Sequence, residues 1–253
     1  MRVGVYVDAF NVYYGGRALA RKAGTTRGWK WFDLAGLASD LIDPVLWPDS
    51  DVVSLAYCSA PRSQTGDNRG SADQRAYFDA LRAAGVTGGY ATTIELGRYV
   101  HTDKSGLILD RSRGSLVPWS LVAQSSSVPS WLTLRRKRHV DGVDYALGDF
   151  KALEEKGSDV KVATHLLVDV LGGKIDAAVV FSNDSDLALP ISRARETVPV
   201  GLINPSIRPT AFHLKAGPDT GVGRHWWRRL DMMDLATHQL TDPCGPATKP
   251  RDW

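Results

Sequence analysis

"IDAAVVFSNDSDLALPISRARETVPVGLI" (Ile175–Ile203) is the stretch on which the fold turns. Its apolar run Ala177–Phe181 has no polar position to show to water, which is the pattern of a strand buried on both faces. The run breaks into Ser182, Asn183, Asp184, Ser185 and Asp186, continues as a segment that reads as a helix, and returns to the apolar "VPVGLI". Strand, helix and strand in that order predict a parallel sheet with a right-handed crossover.

The same alternation recurs on the N-terminal side. "RVGVYVD" (Arg2–Asp8) is β-branched, ends in an acid and reads as a central strand. "DLAGLASDLI" reads as a helix capped by Asp33, and "DVVSLAYCSA" (Asp51–Ala60) as a second strand. "SADQRAYFDALRAAG" predicts a helix capped by Ser71 and stopped at Gly85, with "VTGGYATTI" as the third strand. Closer to the opening stretch, "SDVKVATHLLVDVLGG" sets Val160, Val162, Ala163, Leu166, Leu167, Val170 and Leu171 at helical spacing before a glycine stop. Between about 97 and 150 the periodicity fails, and Gly106, Gly114, Pro118, "SSSVPS" and "RRKRH" mark an irregular or hairpin-like insertion. The expected fold is therefore α/β: a Rossmann-like central parallel sheet flanked by helices, as one domain over 1–240. The Pro-rich polar stretch 241–253 is expected to be a loose, flexible tail.

The 253 residues, 43% of them hydrophobic, suffice for one sizeable core. A formal charge of +3 and a pI near 8.8 permit an anionic partner without demanding one. Cys58 and Cys244 match no zinc or redox spacing, and no apolar stretch approaches the ~20 residues of a membrane span. The expectation is a cytoplasmic protein with no membrane partner. The oligomeric state is open, a homodimer included.

The acids carry the chemistry. Asp8 ends the first strand, and Asp184 and Asp186 stand just beyond the strand Ala177–Phe181, so in a parallel sheet they share the edge where ligands collect. Asp159 begins the helix before that strand, and on crossover geometry alone it is expected to face the opposite edge. Converging carboxylates repel unless one takes a proton or a cation neutralises them. Mg²⁺ or Mn²⁺, hard ions that prefer oxygen and keep waters that a phosphate can replace, suit such a cluster. Each residue also has a plainer role: Asp184 as a helix cap and Asp8 as the start of a turn. Ser182 or Asn183 can cap instead and leave the acids free. Asn11 either caps a helix or orients a water or phosphate. His165 and Asp169, four apart on one helix face, form either a ligand pair or a local hydrogen-bonded pair.

Three blocks together, "VYVDAFNVYYG" (Val5–Gly15), "EEKGSDVKVATHLLVDV" (Glu154–Val170) and "DAAVVFSNDSDLALPISRARE" (Asp176–Glu196), resemble in order and spacing the signature blocks of the NYN domain family of PIN-like ribonucleases. They cover about a fifth of the chain. The resemblance implies a PIN-like fold and a metal-dependent ribonuclease. It assigns Asp8, Asp159, Asp184 and Asp186 to the metal and to catalysis, makes Asn11 an active-site polar residue, and brings the helix start at Asp159 to the same pocket. Two departures stand out. Asn183 occupies a position where many members have Gly, and His165 one where many have an acid, which Asp169 could replace from the next turn.

An acidic pocket repels a polyanion, so RNA needs a basic surround. The candidates are Arg135, Arg136, Lys137 and Arg138, with Lys156 and Asn183 near the acids, and Arg224, Arg228 and Arg229 around Trp226 and Trp227. The plainer reading of the two tryptophans is that they anchor the C-terminal segment to the core. The expected function is a Mg²⁺- or Mn²⁺-dependent endoribonuclease acting on single-stranded RNA. The alternatives are an RNA-binding module of the same fold without turnover, and a small-molecule phosphatase. The last is weakened because "AFN" after Asp8 offers no second acid two residues on.

Overall fold

The structure, a computed structural model, describes residues 1–110, 117–118, 135–138, 144–217 and 219–253; at 63, 64, 110, 117, 118, 135–138 and 144 it describes the backbone alone. In chain order the elements are β1 (Arg2–Asp8), α1 (Ala9–Lys22), α2 (Leu34–Asp40), β2 (Asp51–Ser59), α3 (Asn68–Gly88), β3 (Ala91–Leu96), β4 (Arg98–Leu107), β5 (Leu109–Asp110), β6 (Val117–Pro118), β7 (Arg135–Arg138), β8 (Asp144–Lys156), α4 (Ser158–Leu171), β9 (Ala177–Phe181), α5 (Ala188–Arg195), β10 (Val200–Asn204), β11 (Trp226–Arg229) and α6 (Met232–Thr237). The chain divides into two compact units, Met1–Arg98 with Glu155–Trp253, and Tyr99–Glu154.

The first unit is a Rossmann-like α/β arrangement around a six-stranded sheet of order β11-β10-β9-β1-β2-β3, every pairing parallel. The alternation of side chains sorts the core onto two faces. Val3, Val5, Val7, Val179 and Phe181 pack with Trp31, Trp47 and residues of α1 to α3. Tyr6, Cys58, Ala178 and Val180 pack with Val162, Leu166 and Ile191 of α4 and α5. Each such side chain fully buried contributes about 1.5–3 kcal/mol. Asp8 has the parity of Tyr6, so its carboxylate belongs to the face that α4 covers. From β1 the chain goes to β2 on one side and later returns as β9 on the other, which leaves a crevice at the carboxyl ends of β1 and β9.

Several boundaries differ from expectation. Asp67, not Ser71, caps α3 by accepting from Gly70 N, and the helix runs on to Gly88, ending at Gly89 in the left-handed region. The residues 86–88 are thus helix rather than strand, and β3 begins at Ala91. The segment 241–253 is not loose. Trp31 Nε1 donates to Thr241 O, Cys244 and Ala247 are buried, and Trp253 sits against Trp31 and Tyr77 with ring centroids 6.2 and 5.8 Å apart.

In the second unit, β4, β8 and β7 form a three-stranded sheet and β5 pairs with β6. The basic run Arg135, Arg136, Lys137 and Arg138 is strand β7, antiparallel to β8. Its side chains lie outside the described residues, as do residues 111–116, 119–134 and 139–143 of the expected insertion. Among the described residues no helix is long and apolar enough to cross a membrane.

Candidate functional site

The local conformation of each element aims one acid at the crevice. Asp8 is the last residue of β1 and the N-cap of α1, and it is 1% exposed. Its Oδ1 accepts from Asn11 N at 3.1 Å, and its Oδ2 accepts from Asn11 Nδ2 at 2.6 Å and Ser182 Oγ at 2.9 Å. Burial pushes its carboxyl up to about 6 against the pull of those bonds, and the Asp159 charge pushes the same way.

Asp159 enters from the first turn of α4. Gly157, at φ +99°, turns the chain out of β8 in a conformation that a side chain would strain. The Ser158 hydroxyl lies 2.8 Å from Glu155 Oε2 and 3.2 Å from Asp159 Oδ1, so its single proton goes to one or the other. The expectation that Asp159 faces the opposite edge is corrected here. A crossover helix runs antiparallel to its strands, so its N-terminus starts at their carboxyl edge.

Asp184 follows β9. Ser182 Oγ accepts from Asp184 N at 3.1 Å while donating to Asp8, so one fully buried hydroxyl ties the two acids together. Ligand oxygens of Asp8, Asp159 and Asp184 all lie within 4.8 Å of one another. Among the described residues, no ion pair includes any of the three. An all-carboxylate oxygen set at this spacing fits a hard divalent cation such as Mg²⁺ or Mn²⁺.

Asp186 is exposed and stands outside that trio. Its backbone N–H donates to Asp184 Oδ1 at 3.0 Å, so Asp184 itself caps the turn Ser185–Leu187, the plainer role expected of it, and Ser182 and Asn183 do not take that task over. Asn11 Oδ1 accepts from Asn183 N, joining the ends of β1 and β9. Asn183 turns its amide away from the acids: Nδ2 donates to Pro209 O and Oδ1 accepts from Ala211 N. Lys156 is exposed at the end of β8. His165 and Asp169 do not meet as a ligand pair. His165 Nε2 lies 3.4 Å from Glu95, and Asp169 accepts from the Tyr6 hydroxyl and from Lys174. Of the tryptophans, Trp226 packs on Trp47 as an anchor, while Trp227 is 44% exposed under Lys215. Arg228 pairs with Asp234, and Arg224 and Arg229 are exposed.

Sequence reasoning passed over Glu95, at the end of β3, which accepts from Lys161 Nζ at 2.9 Å. The sheet register was the available signal. Asp8 pairs with Cys58 and Cys58 with Glu95, so the three lie in one row at the carboxyl edge.

No family model matches the chain. It is 26% identical to 6-hydroxy-3-succinoylpyridine 3-monooxygenase of Pseudomonas putida over 276 aligned positions, taking in 100% of this chain and 75% of that protein. Among solved structures it is similar to a protein of unknown function from Vibrio parahaemolyticus, with a TM-score of 0.44 and 17% identity over 91% of this chain and 93% of that one.

Proposed function

We propose that the protein is a metal-dependent ribonuclease of the NYN, PIN-like kind, hydrolysing phosphodiester bonds of single-stranded RNA. The observation that carries the reading is the convergence of Asp8, Asp159 and Asp184 at the carboxyl edge of a parallel sheet. On this reading those three carboxylates hold Mg²⁺ or Mn²⁺. When bound, such an ion supplies charge neutralisation at the phosphoryl oxygens and an acidified water.

The residues of the chain do the rest. Asn11 and Ser182 fix both Asp8 oxygens, so the acid does not have to reorganise when substrate arrives. Asp184 is held at its backbone N–H, which donates to Ser182 Oγ, and at Oδ1, which accepts from Asp186 N. Water adds at phosphorus, the bond to the leaving ribose oxygen breaks, and the water's proton ends on that oxygen. On this reading Asp186, exposed and outside the trio, acts through water rather than directly.

The test is cleavage of labelled single-stranded RNA by the purified protein. The reading holds if cleavage needs added Mg²⁺ or Mn²⁺ and is lost in both Asp8→Asn and Asp184→Asn while the circular dichroism spectrum is unchanged. Binding without cleavage under any metal indicates the non-catalytic module, and hydrolysis of a phosphomonoester indicates the phosphatase.

A second reading, hydroxylation of a heteroaromatic ring, draws on the 26% identity to the Pseudomonas putida monooxygenase over the whole of this chain and 75% of that protein. The trio offers carboxylates without histidine, whereas the common non-haem iron oxygenase set is two histidines and one carboxylate. Dioxygen uptake with 6-hydroxy-3-succinoylpyridine and a supplied reductant, by protein that leaves RNA intact, would replace the first reading with the second.

A further inference from the structure

We propose that Phe212 is a stacking platform for one unpaired nucleobase of the RNA, beside the acidic trio; this rests on the ribonuclease reading. Phe212 is 83% exposed. An apolar ring left in water forgoes about 1.5–3 kcal/mol of burial, so a slack loop would fold it inward. The loop that carries it is not slack.

The loop leaves β10 through Asn204, which is fully buried. Its Nδ2 donates to Arg208 O at 3.0 Å and Thr210 Oγ1 at 3.1 Å, and its Oδ1 accepts from Ser206 N at 2.7 Å. Asn183, adjacent to Asp184, holds the next stretch through Pro209 O and Ala211 N. Beyond Phe212, Leu214 is fully buried and its carbonyl accepts from the buried Arg195 guanidinium at 2.7 Å. At the start of the loop, helix α1 presses so closely that a Cβ on Gly15 would stand 2.1 Å from Pro205 O. Phe212 is thus held outward between fixed points on both sides. The turn Phe212–Leu214 packs on the turn Ser185–Leu187, which Asp184 caps.

The surroundings match a nucleic-acid strand. The exposed Arg208 and Lys215 flank the ring in sequence, and the exposed His213 ring stands edge-on to it at 5.6 Å. Aromatic faces stack on any base, and flanking cations meet the phosphates. A base paired in a duplex has no free face to offer, so the platform selects single strands.

The experiment measures RNA cleavage with Mn²⁺, and RNA binding by anisotropy in EDTA, for wild type, Phe212→Ala and Phe212→Trp. Stacking is worth about 1–3 kcal/mol per base, so Phe212→Ala raises KM and Kd for single-stranded RNA by about 10-fold, leaves kcat unchanged, and Phe212→Trp restores both. RNAs with one abasic nucleotide at successive positions include one on which wild type and Phe212→Ala are equal. Unchanged melting temperatures verify the fold, since the ring is exposed. If RNA is cleaved and Phe212→Ala matches wild type, the platform falls and the ribonuclease stands. RNA that is bound but never cleaved, and bound more weakly by Phe212→Ala, leaves the platform standing without the ribonuclease. No binding and no cleavage by wild type overturns both.

Discussion

Helix α4 delivers charged side chains to the carboxyl edge of the sheet at two places, and the two are balanced differently. Lys161 and His165 meet Glu95, whose carboxyl is held below its usual range, chiefly by the hydrogen bond from Lys161. Asp159 meets Asp8 and Asp184, all of one sign, and Asp8 is pushed the other way, up to about 6, chiefly by burial. A carboxylate that has its own cation is complete as folded. Three that share a crevice without one are stable only with help from solution, and such unrelieved electrostatics mark functional sites. The distinction separates a self-contained pair from a candidate site on one helix.

The largest effect expected from this contrast is kinetic. On the proposed ribonuclease reading, Asp159→Asn or Asp184→Asn lowers kcat on single-stranded RNA by about 10²–10³-fold, as the loss of a preorganised electrostatic group does. The metal-free variants melt no lower than wild type, since each removes a like charge from the cluster. Steady-state kinetics and thermal melts check both halves, and a variant with full activity would place the chemistry elsewhere. Next in size, Mn²⁺ at 100 times its Kd stabilises wild type by about 2.7 kcal/mol. Denaturant melts with and without metal should show this gain in Glu95→Gln and not in Asp184→Asn; a gain in neither or in both removes the contrast. Third, Glu95→Gln itself costs within about 1 kcal/mol, because Glu95 and Lys161 are each about a third exposed, 33% and 34%. A collapse of activity in Glu95→Gln would move this acid into the site.

The smallest effect lies at the other edge of the sheet. Arg2 holds the Asp176 carboxyl down to about 2, first through its guanidinium hydrogen bond and then through its backbone N–H. The folded value is below the unfolded one of about 3.9, so this stability is present above that pH and is lost as pH falls toward 2. Both side chains are well exposed and the effect is modest. Arg2→Ala flattens the acid limb of a melting-temperature profile between pH 4 and 2, and an unchanged profile would show that the pair is silent.

Much of this was legible in the sequence, for physical reasons that also explain the misses. The runs Arg2–Asp8 and Ala177–Phe181 are buried on both faces and so are apolar without interruption, which fixed both the strands and the acids at their ends. Asp159 was placed at the right helix position, but its helix direction was taken the wrong way round from the crossover, which set it at the opposite edge, whereas the family resemblance brought it to the pocket. Ser71 and Asp67 are both cap-type residues four apart, and either could have accepted from the N–H three residues on; Asp67 does so from Gly70 and is also held by Arg62. The role of Asn183 was hidden because amide bonds to the carbonyl and N–H of a distant loop leave no periodicity. The composition of 241–253 suggested a loose tail because Pro and polar residues dominate it, whereas three buried or ring-stacked side chains decide its placement.

That seat for Trp253 sets an order of events during synthesis. Trp31 and Tyr77 belong to the face of the sheet that α2 and α3 cover, yet their aromatic stack is finished by a residue translated long after them. While the ribosome is still adding residues beyond 184, all three acids of the crevice have been made but this opposite face is still open. Closing that face waits on a contact between residues far apart in the chain, and contacts so distant in sequence are the slow ones to form.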